Sequence, residues 1–401
     1  MSPIRAGRAA AAALCLVLLP WQPASADDSL TSRALQIVNS VASGDPLRVV
    51  LTSASPDGSP RFTTTAATTR AKATDLVRTA LSAGRTVSMA QPVRTTLSRD
   101  TYRSRQWALD ALKAESVWKV TQGGTSSKLK SRRVVVAVVD TGVATDHPDL
   151  KANLVAGHDV LAPKTSPYDE NGHGTHVAGI IAAVAANKRG IAGLAPRAAV
   201  MPVRVLDRNG AGSTDDVARG IVWAVDHGAR VVNLSLASPG SDAALQRAVA
   251  YAQAKGAVVV AAAGNDGGTL RCFLLGCARQ YPAAYPGVIG VAALDSDRTA
   301  SSFSSYGSWV DVAAPGAAII SLTPKTNRLG CGTSTYCTMS GTSMAAPYVS
   351  ASVALARSNH SWSAATTASR VQSTATDLGA RGRDTSYGYG LVNPLALVKA
   401  R

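Results

Sequence analysis

No run of 18 or more apolar residues occurs in the 401 residues, so no segment is long enough to cross a bilayer as a helix. The closing stretch from Leu391 to Leu397 is far shorter and contains Pro394, so no membrane anchor is expected there. Acidic residues are few, 25 against 41 basic, giving a net charge of +16. That excess invites a nucleic-acid reading. The basic residues are scattered, however, without a stripe and without interleaved aromatics, so no nucleic-acid partner is expected. Beyond Arg99 the excess falls to 10, with 30 basic against 20 acidic residues. Solubility and a loose attraction to acidic surfaces account for it.

Cysteine is scarce and odd in number, five in all. The N-terminus explains the odd one. Arg5 and Arg8 precede an apolar run from Ala9 to Leu19, and Ala24-Ser25-Ala26 supplies the small residues that a signal peptidase reads. Residues 1–26 therefore read as a signal peptide cleaved after Ala26, and a secreted, extracellular product is expected. Cys15 leaves with it. Cys272, Cys277, Cys331 and Cys337 remain, in two close pairs. Export permits disulfides, and three pairings are open. The local one, Cys272–Cys277 with Cys331–Cys337, is the simplest. A zinc site lacks a neighbouring His to complete its ligands.

Residues 27–98 are rich in Thr, Ser, Ala and Arg, with strand signals at Arg48–Leu51 and Thr86–Met89 and a helical stretch from Ala71 to Ala83. They form a small domain at best. From residue 99 the texture changes. Continuous or nearly continuous apolar runs at Val134–Val139, Val231–Leu236, Ala257–Ala263, Val288–Ala293 and Ala317–Leu322 read as strands buried on both faces. Helical segments separate them: His173–Ala186, Thr214–His227, Asp242–Lys255 and Ser343–Arg357. This alternation predicts an α/β domain with a doubly wound, mostly parallel sheet. Such sheets place chemistry at the carboxyl ends of their strands.

Asp140 ends the run Val134–Val139, and Thr141-Gly142 then turns the chain. Alone, such an aspartate is as readily a cap. His173 lies in Asn171-Gly172-His173-Gly174-Thr175-His176. His173 and His176 have metal-pair spacing but no Glu between them and no third ligand, so a core or capping role suits His176 better. Ser343 lies in Gly341-Thr342-Ser343-Met344-Ala345 at a helix N-terminus, where its backbone N–H can face an anion. This is not a G-x-S-x-G elbow. Asn265 follows the run ending at Ala263 and Gly264, where its amide can donate to an oxyanion.

Asp, then His, then Ser, each in its own glycine-bearing motif, is one of the three chain orders in which this triad occurs. The order and the motifs resemble the subtilisin family of serine peptidases over about residues 100–401. The resemblance implies a secreted serine endopeptidase acting on polypeptides. Ser343 would be its nucleophile, His173 its base, Asp140 the group that orients the base, and Asn265 an oxyanion donor. An inactive relative serving as a binding module would not need all four intact. The resemblance also implies that Ser235, Leu236 and Ala237 form one wall of the substrate pocket, with Ala263 and Gly264 forming the other. Leu270–Arg279 is an insertion at its rim. Asp266 and Gln280 sit near that mouth, where Asp266 would attract a basic P1 side chain or else stay solvated beside a broad apolar pocket.

The start at Asp100 is similar to the thermitase-like branch of the family. It implies a structural Ca²⁺ held by Asp100, Asp149, the Asn187 side chain and the carbonyls of Val184, Arg189 and Ile191. By position and size, residues 27–98 resemble a prosegment that inhibits the enzyme until removed between about Arg94 and Asp100. A monomer is expected.

Overall fold

The computed structural model describes residues 26–41, 47–56, 60–90, 100–124 and 133–400. The expected signal peptide, apart from Ala26, lies outside the described residues, as does the expected processing region up to Arg99. The chain divides between residues 96 and 97 into two compact units.

The first unit runs α1 (Ala26–Asn39), β1 (Leu47–Ala54), β2 (Pro60–Ala67), α2 (Arg70–Ser82) and β3 (Thr86–Met89). Its antiparallel sheet has the order β2-β1-β3. The Thr69 hydroxyl caps α2 by accepting the Lys72 N–H. Ala34, Val38, Val49, Ala73, Val77 and Met89 build one small core. Arg70 fastens the end of α1 by donating to the Val38 and Val41 carbonyls. The sequence reading missed β2, whose residues from Arg61 to Ala66 are all exposed and so leave no apolar alternation to read.

The second unit opens with two short helices, α3 (Trp107–Ala111) and α4 (Ala114–Trp118). Then follow β4 (Val135–Asp140), β5 (His158–Asp159), α5 (His173–Ala182), β6 (Ala199–Arg204), α6 (Thr214–Asp226), β7 (Val231–Leu234), α7 (Ala243–Ala254) and β8 (Val258–Ala262). The chain continues with α8 (Leu270–Leu275), β9 (Ile289–Leu294), β10 (Val312–Pro315), β11 (Ile319–Leu322), β12 (Tyr336–Met339), α9 (Thr342–Asn359), α10 (Ala364–Ser373) and α11 (Pro394–Lys399). Seven strands form one parallel sheet in the order β10-β9-β8-β7-β4-β6-β5.

Successive strand residues point to opposite faces. In β7, β8 and β9 every residue is buried, so both faces are covered. α5 and α9 pack on each other and on β4, while α9 also crosses β7–β10. α6 and α7 pack on each other and on β4, β6, β7 and β8. Ser213 caps α6 and Asp242 caps α7 through their side-chain oxygens.

Three expectations need correction. The run Ala317–Leu322 does not join the parallel sheet. Its core, β11, pairs antiparallel with β12 to form a separate two-stranded sheet. A buried apolar run reads alike in either setting. β6 was absent from the expected strands; Pro202 lies within it, side by side with Val138 in the β4–β6 register. The helix beginning at His173 ends at Ala182, not Ala186. Beyond it Asp100 captures the N–H groups of Ala186, Asn187 and Lys188. Ala186 and Lys188 there adopt φ of 60° and 65°, incompatible with a continuing helix.

Candidate active site

β4, β7 and β8 are neighbours in the sheet, so their carboxyl ends open on one crevice. The first delivers Asp140, fully buried as the last residue of β4. Its Oδ1 accepts the Thr141 N–H (2.7 Å) and faces His173 Nδ1 (2.8 Å). Its Oδ2 is buried without a hydrogen-bond partner among the described residues. An acceptor that close makes Nδ1 the protonated nitrogen of a neutral imidazole and leaves Nε2 as the basic one.

His173 is the first residue of α5. The α5 backbone comes so near the Asp140 turn that a Cβ on Gly174 would lie 2.1 Å from the Gly142 carbonyl oxygen. Only glycine permits that approach. The turn before His173 is organised by Asp169, buried and in contact with five donors. It accepts from the Thr141 and Thr175 hydroxyls and from the N–H groups of Asn171, Gly172 and Thr175. Burial raises its carboxyl, and these bonds oppose the rise. Burial also disfavours a charged His173. The charge of Asp140, the hydrogen bond to it and the charge of Asp169 outweigh that, and hold the imidazole above its ordinary value of 6.5.

β7 delivers Ser235, which follows it directly. Ser343, second residue of α9, donates from Oγ to the Ser235 carbonyl (3.0 Å), and Ser235 Oγ donates to the Ser343 carbonyl (2.8 Å). Asn233 donates to Ser235 Oγ and accepts from Ser350 Oγ, so a buried polar chain ties α9 to β7. The sequence reading missed Asp169, Asn233 and Ser350. An aspartate four residues before His173, in a glycine turn, was the one available signal.

β8 delivers Asn265 after Gly264. Its Oδ1 accepts from the Thr342 N–H (2.9 Å) and hydroxyl (3.0 Å). A backbone N–H can only donate, so the amide oxygen faces Thr342, and Nδ2 has no acceptor among the described residues. A Cβ on Gly341 would stand 3.6 Å from Asn265 Nδ2 and 3.7 Å from the Ser343 N. Two N–H donors thus border one small space, and the missing side chain of Gly341 leaves it open.

A cleft of about 560 Å³ runs past His173 and is walled by Ser235, Leu236 and Ala237, together with Leu206, Gly210 and Leu329. Ala263, Gly264, Asp266 and Gln280 are not among its walls; the first three follow β8, the strand beside β7, and Gln280, beyond α8, lies against Gly264. Gln280 donates to Asp266 Oδ2 (2.6 Å), so that carboxylate is engaged. Both disulfides follow the local pairing, Cys272–Cys277 and Cys331–Cys337. His176 is a core residue. Its Nε2 lies 3.1 Å from the carbonyls of Ile319 and Cys337, and burial, with the neighbouring His173, lowers it to about 3.

Away from the cleft, Asp100 and Asp149 approach one loop from two sides. Asp149 Oδ1 accepts from Asn187 Nδ2 (2.6 Å) and its Oδ2 from the Ile191 N–H (3.0 Å), while the Val184 N–H donates to its carbonyl. Burial, with a smaller push from the charge of Asp100, raises Asp149 to about 6. Among the described residues no Lys or Arg forms an ion pair with either carboxylate, and no group of three or more His, Cys, Asp or Glu could hold a metal.

A parallel α/β sheet with this constellation at its strand ends defines a serine peptidase. The subtilase family model matches residues 131–390. The chain is 43% identical to thermitase of Thermoactinomyces vulgaris over 74% of its own length and 97% of that protein, and 40% identical to subtilisin Savinase of Lederbergia lenta over 74% and 100%. A solved protease from Pseudoalteromonas arctica superposes with a TM-score of 0.64 at 32% identity, covering 75% of this chain and 98% of that one. The chain belongs to the subtilase family, and its activity is that of a subtilisin-like serine peptidase acting on polypeptides.

Proposed function

We propose that the chain is made as a precursor, exported, and acts outside the cell as an endopeptidase through Asp140, His173 and Ser343. The observation that carries the reading is the 2.8 Å contact between His173 Nδ1 and Asp140 Oδ1, beside a cleft one of whose walls, Ser235, also holds the Ser343 hydroxyl. On this reading the Ser343 hydroxyl leaves the Ser235 carbonyl for His173 Nε2 when substrate binds. Such bonds are commonly loose before substrate arrives. Oγ then attacks the scissile carbonyl while Nε2 takes its proton. Asp140 stabilises the imidazolium, which returns the proton to the leaving amine. Water repeats the sequence to release the acyl group. Asn265 Nδ2 and the Ser343 N–H receive the oxyanion in both steps.

Because Asn265 acts on charge that develops only in the transition state, Asn265→Ala lowers kcat by about 10²- to 10³-fold with little change in KM. Steady-state kinetics on one peptide checks this. Cleavage of a peptide library tests the function itself. An endopeptidase cuts at internal bonds, and the relative rates for Lys, Phe and Leu at P1 report whether Asp266 or an apolar wall selects the residue. A library left uncut overturns the reading.

The first compact unit acts, on this proposal, as a prosegment that holds the enzyme inactive until cut away before Asp100. N-terminal sequencing of the secreted protein tests it. The proposal includes a structural Ca²⁺ at the loop of Asp100 and Asp149. Two buried carboxylates meet there without a cationic side chain paired to them among the described residues, and a divalent cation would supply the missing charge. Asn187 would turn its amide oxygen toward the ion, and the carbonyls of Val184, Arg189 and Ile191 would complete the set. Chelation is then expected to lower the melting temperature by about 5 °C or more, measured calorimetrically with and without added Ca²⁺. An unchanged melting temperature removes the ion from the account.

A further inference from the structure

The chain spends a short insertion on side chains that folding does not bury. Leu270, Phe273, Leu274 and Leu275 are 71%, 80%, 64% and 80% exposed, within six residues. Soluble surfaces carry scattered apolar residues, but four large ones in one projecting group mark a contact surface. The projection is held firmly. The Thr269 hydroxyl caps α8 by accepting the Cys272 N–H, Tyr306 donates to the Cys272 carbonyl (2.9 Å), and Cys272, itself buried, is joined to Cys277. The apolar side chains are therefore presented outward on a clamped base. Arg271 lies among them in sequence and Arg279 follows them, both exposed. The one acidic side chain nearby in sequence, Asp266, is engaged by Gln280 at the base.

We infer that this projection, Leu270–Arg279, seats the protein on an anionic lipid surface, with Phe273 and the leucines entering the acyl boundary and Arg271 and Arg279 facing headgroup phosphates. Apolar tips flanked by cations are the pattern of interfacial binding. A protruding knob suits a fluid apolar layer, which accepts any convex shape, better than a protein partner, which would need a matching pocket. A second copy would bring Arg271 and Arg279 against their own equivalents. The net charge of +10 beyond Arg99 acts in the same direction as the two arginines. Docking of this kind is independent of the catalytic reading.

The test is co-sedimentation of the purified secreted protein with vesicles of phosphatidylcholine alone and of phosphatidylcholine with an equal part of phosphatidylglycerol, at low and high salt. Binding is expected on the anionic vesicles at low salt. It falls by about ten-fold or more in Phe273→Ser/Leu275→Ser and by a similar factor in Arg271→Gln/Arg279→Gln. The melting temperature and the hydrolysis of a short soluble peptide stay unchanged in both. Wild-type protein that ignores anionic vesicles overturns the inference. So does equal binding by the Phe273/Leu275 variant, which would leave diffuse charge as the cause. Undiminished vesicle binding with impaired cleavage of a long apolar polypeptide also overturns it and makes the knob a substrate exosite. Failure of the catalytic reading would look different: no peptide hydrolysis by any variant, with vesicle binding intact.

Discussion

Ser343→Ala lowers kcat for peptide hydrolysis by about 10⁶-fold, the size known for serine peptidases of this kind and carried over from them. The geometry explains why the loss is chemical. Among the described residues the Ser343 hydroxyl makes one hydrogen bond, to the Ser235 carbonyl. Losing it costs about 1 kcal/mol, and the reciprocal bond from Ser235 Oγ to the Ser343 main chain survives the substitution. The melting temperature therefore hardly moves. On the proposed mechanism, what disappears is the attacking atom. Residual turnover of the variant reports what Asn265, the Ser343 N–H and substrate positioning achieve without a nucleophile. A variant that keeps near-normal turnover would mean that another side chain forms the acyl bond.

Asp140→Asn has the next largest effect, a fall in kcat of about 10⁴-fold, again by analogy with other triads. The Oδ1 of Asp140 already accepts from both Thr141 N and His173 Nδ1, and its Oδ2 has no hydrogen-bond partner among the described residues. An asparagine can keep its oxygen at the first position only by burying an unpaired NH₂ at the second. Turned the other way, it offers a donor to Nδ1 and forces the wrong tautomer. Both outcomes remove the charge that stabilises the imidazolium. The pH profile separates this role from a merely structural one. In the wild type, burial of His173 is outweighed by the charge of Asp140 and its hydrogen bond, which raise the imidazole above 6.5. Protonated His173 cannot take the serine proton, so kcat/KM falls as pH drops through that raised value. Without the charge, burial prevails and the imidazole drops. The acid limb of the variant therefore lies at lower pH than that of the wild type. A limb that stays in place would assign it to another group.

The strands that deliver the chemistry were legible because β4, β7 and β8 lie in unbroken or nearly unbroken apolar runs, and the residues closing each run fall at the crevice. Asp140, His173, Asn265 and Ser343 stood out as side chains in glycine-bearing motifs. The groups that hold them did not. Asp169 looks like any loop aspartate until five donors converge on it, and Asn233 sits inside a strand where a polar residue reads as noise. Ser350, within a helix of small residues, has no local sign that it reaches β7. Asn233 and Ser350 stand 117 positions apart, and only folding brings them near. The hairpin of β11 and β12 was hidden for a related reason. Whether a buried run pairs in parallel or antiparallel is decided by its partner, and Tyr336–Met339 carries too little buried apolar surface to announce itself.

The most direct test of the account is labelling with an active-site fluorophosphonate, followed by peptide mass spectrometry. One adduct is expected, on Ser343. It should be absent from Ser343→Ala and formed far more slowly by Asp140→Asn, because attack on phosphorus needs the same base and the same oxyanion donors. Labelling at a different residue, or labelling of Ser343 that proceeds at the wild-type rate in Asp140→Asn, would contradict the claim that Asp140, His173 and Ser343 act as one unit.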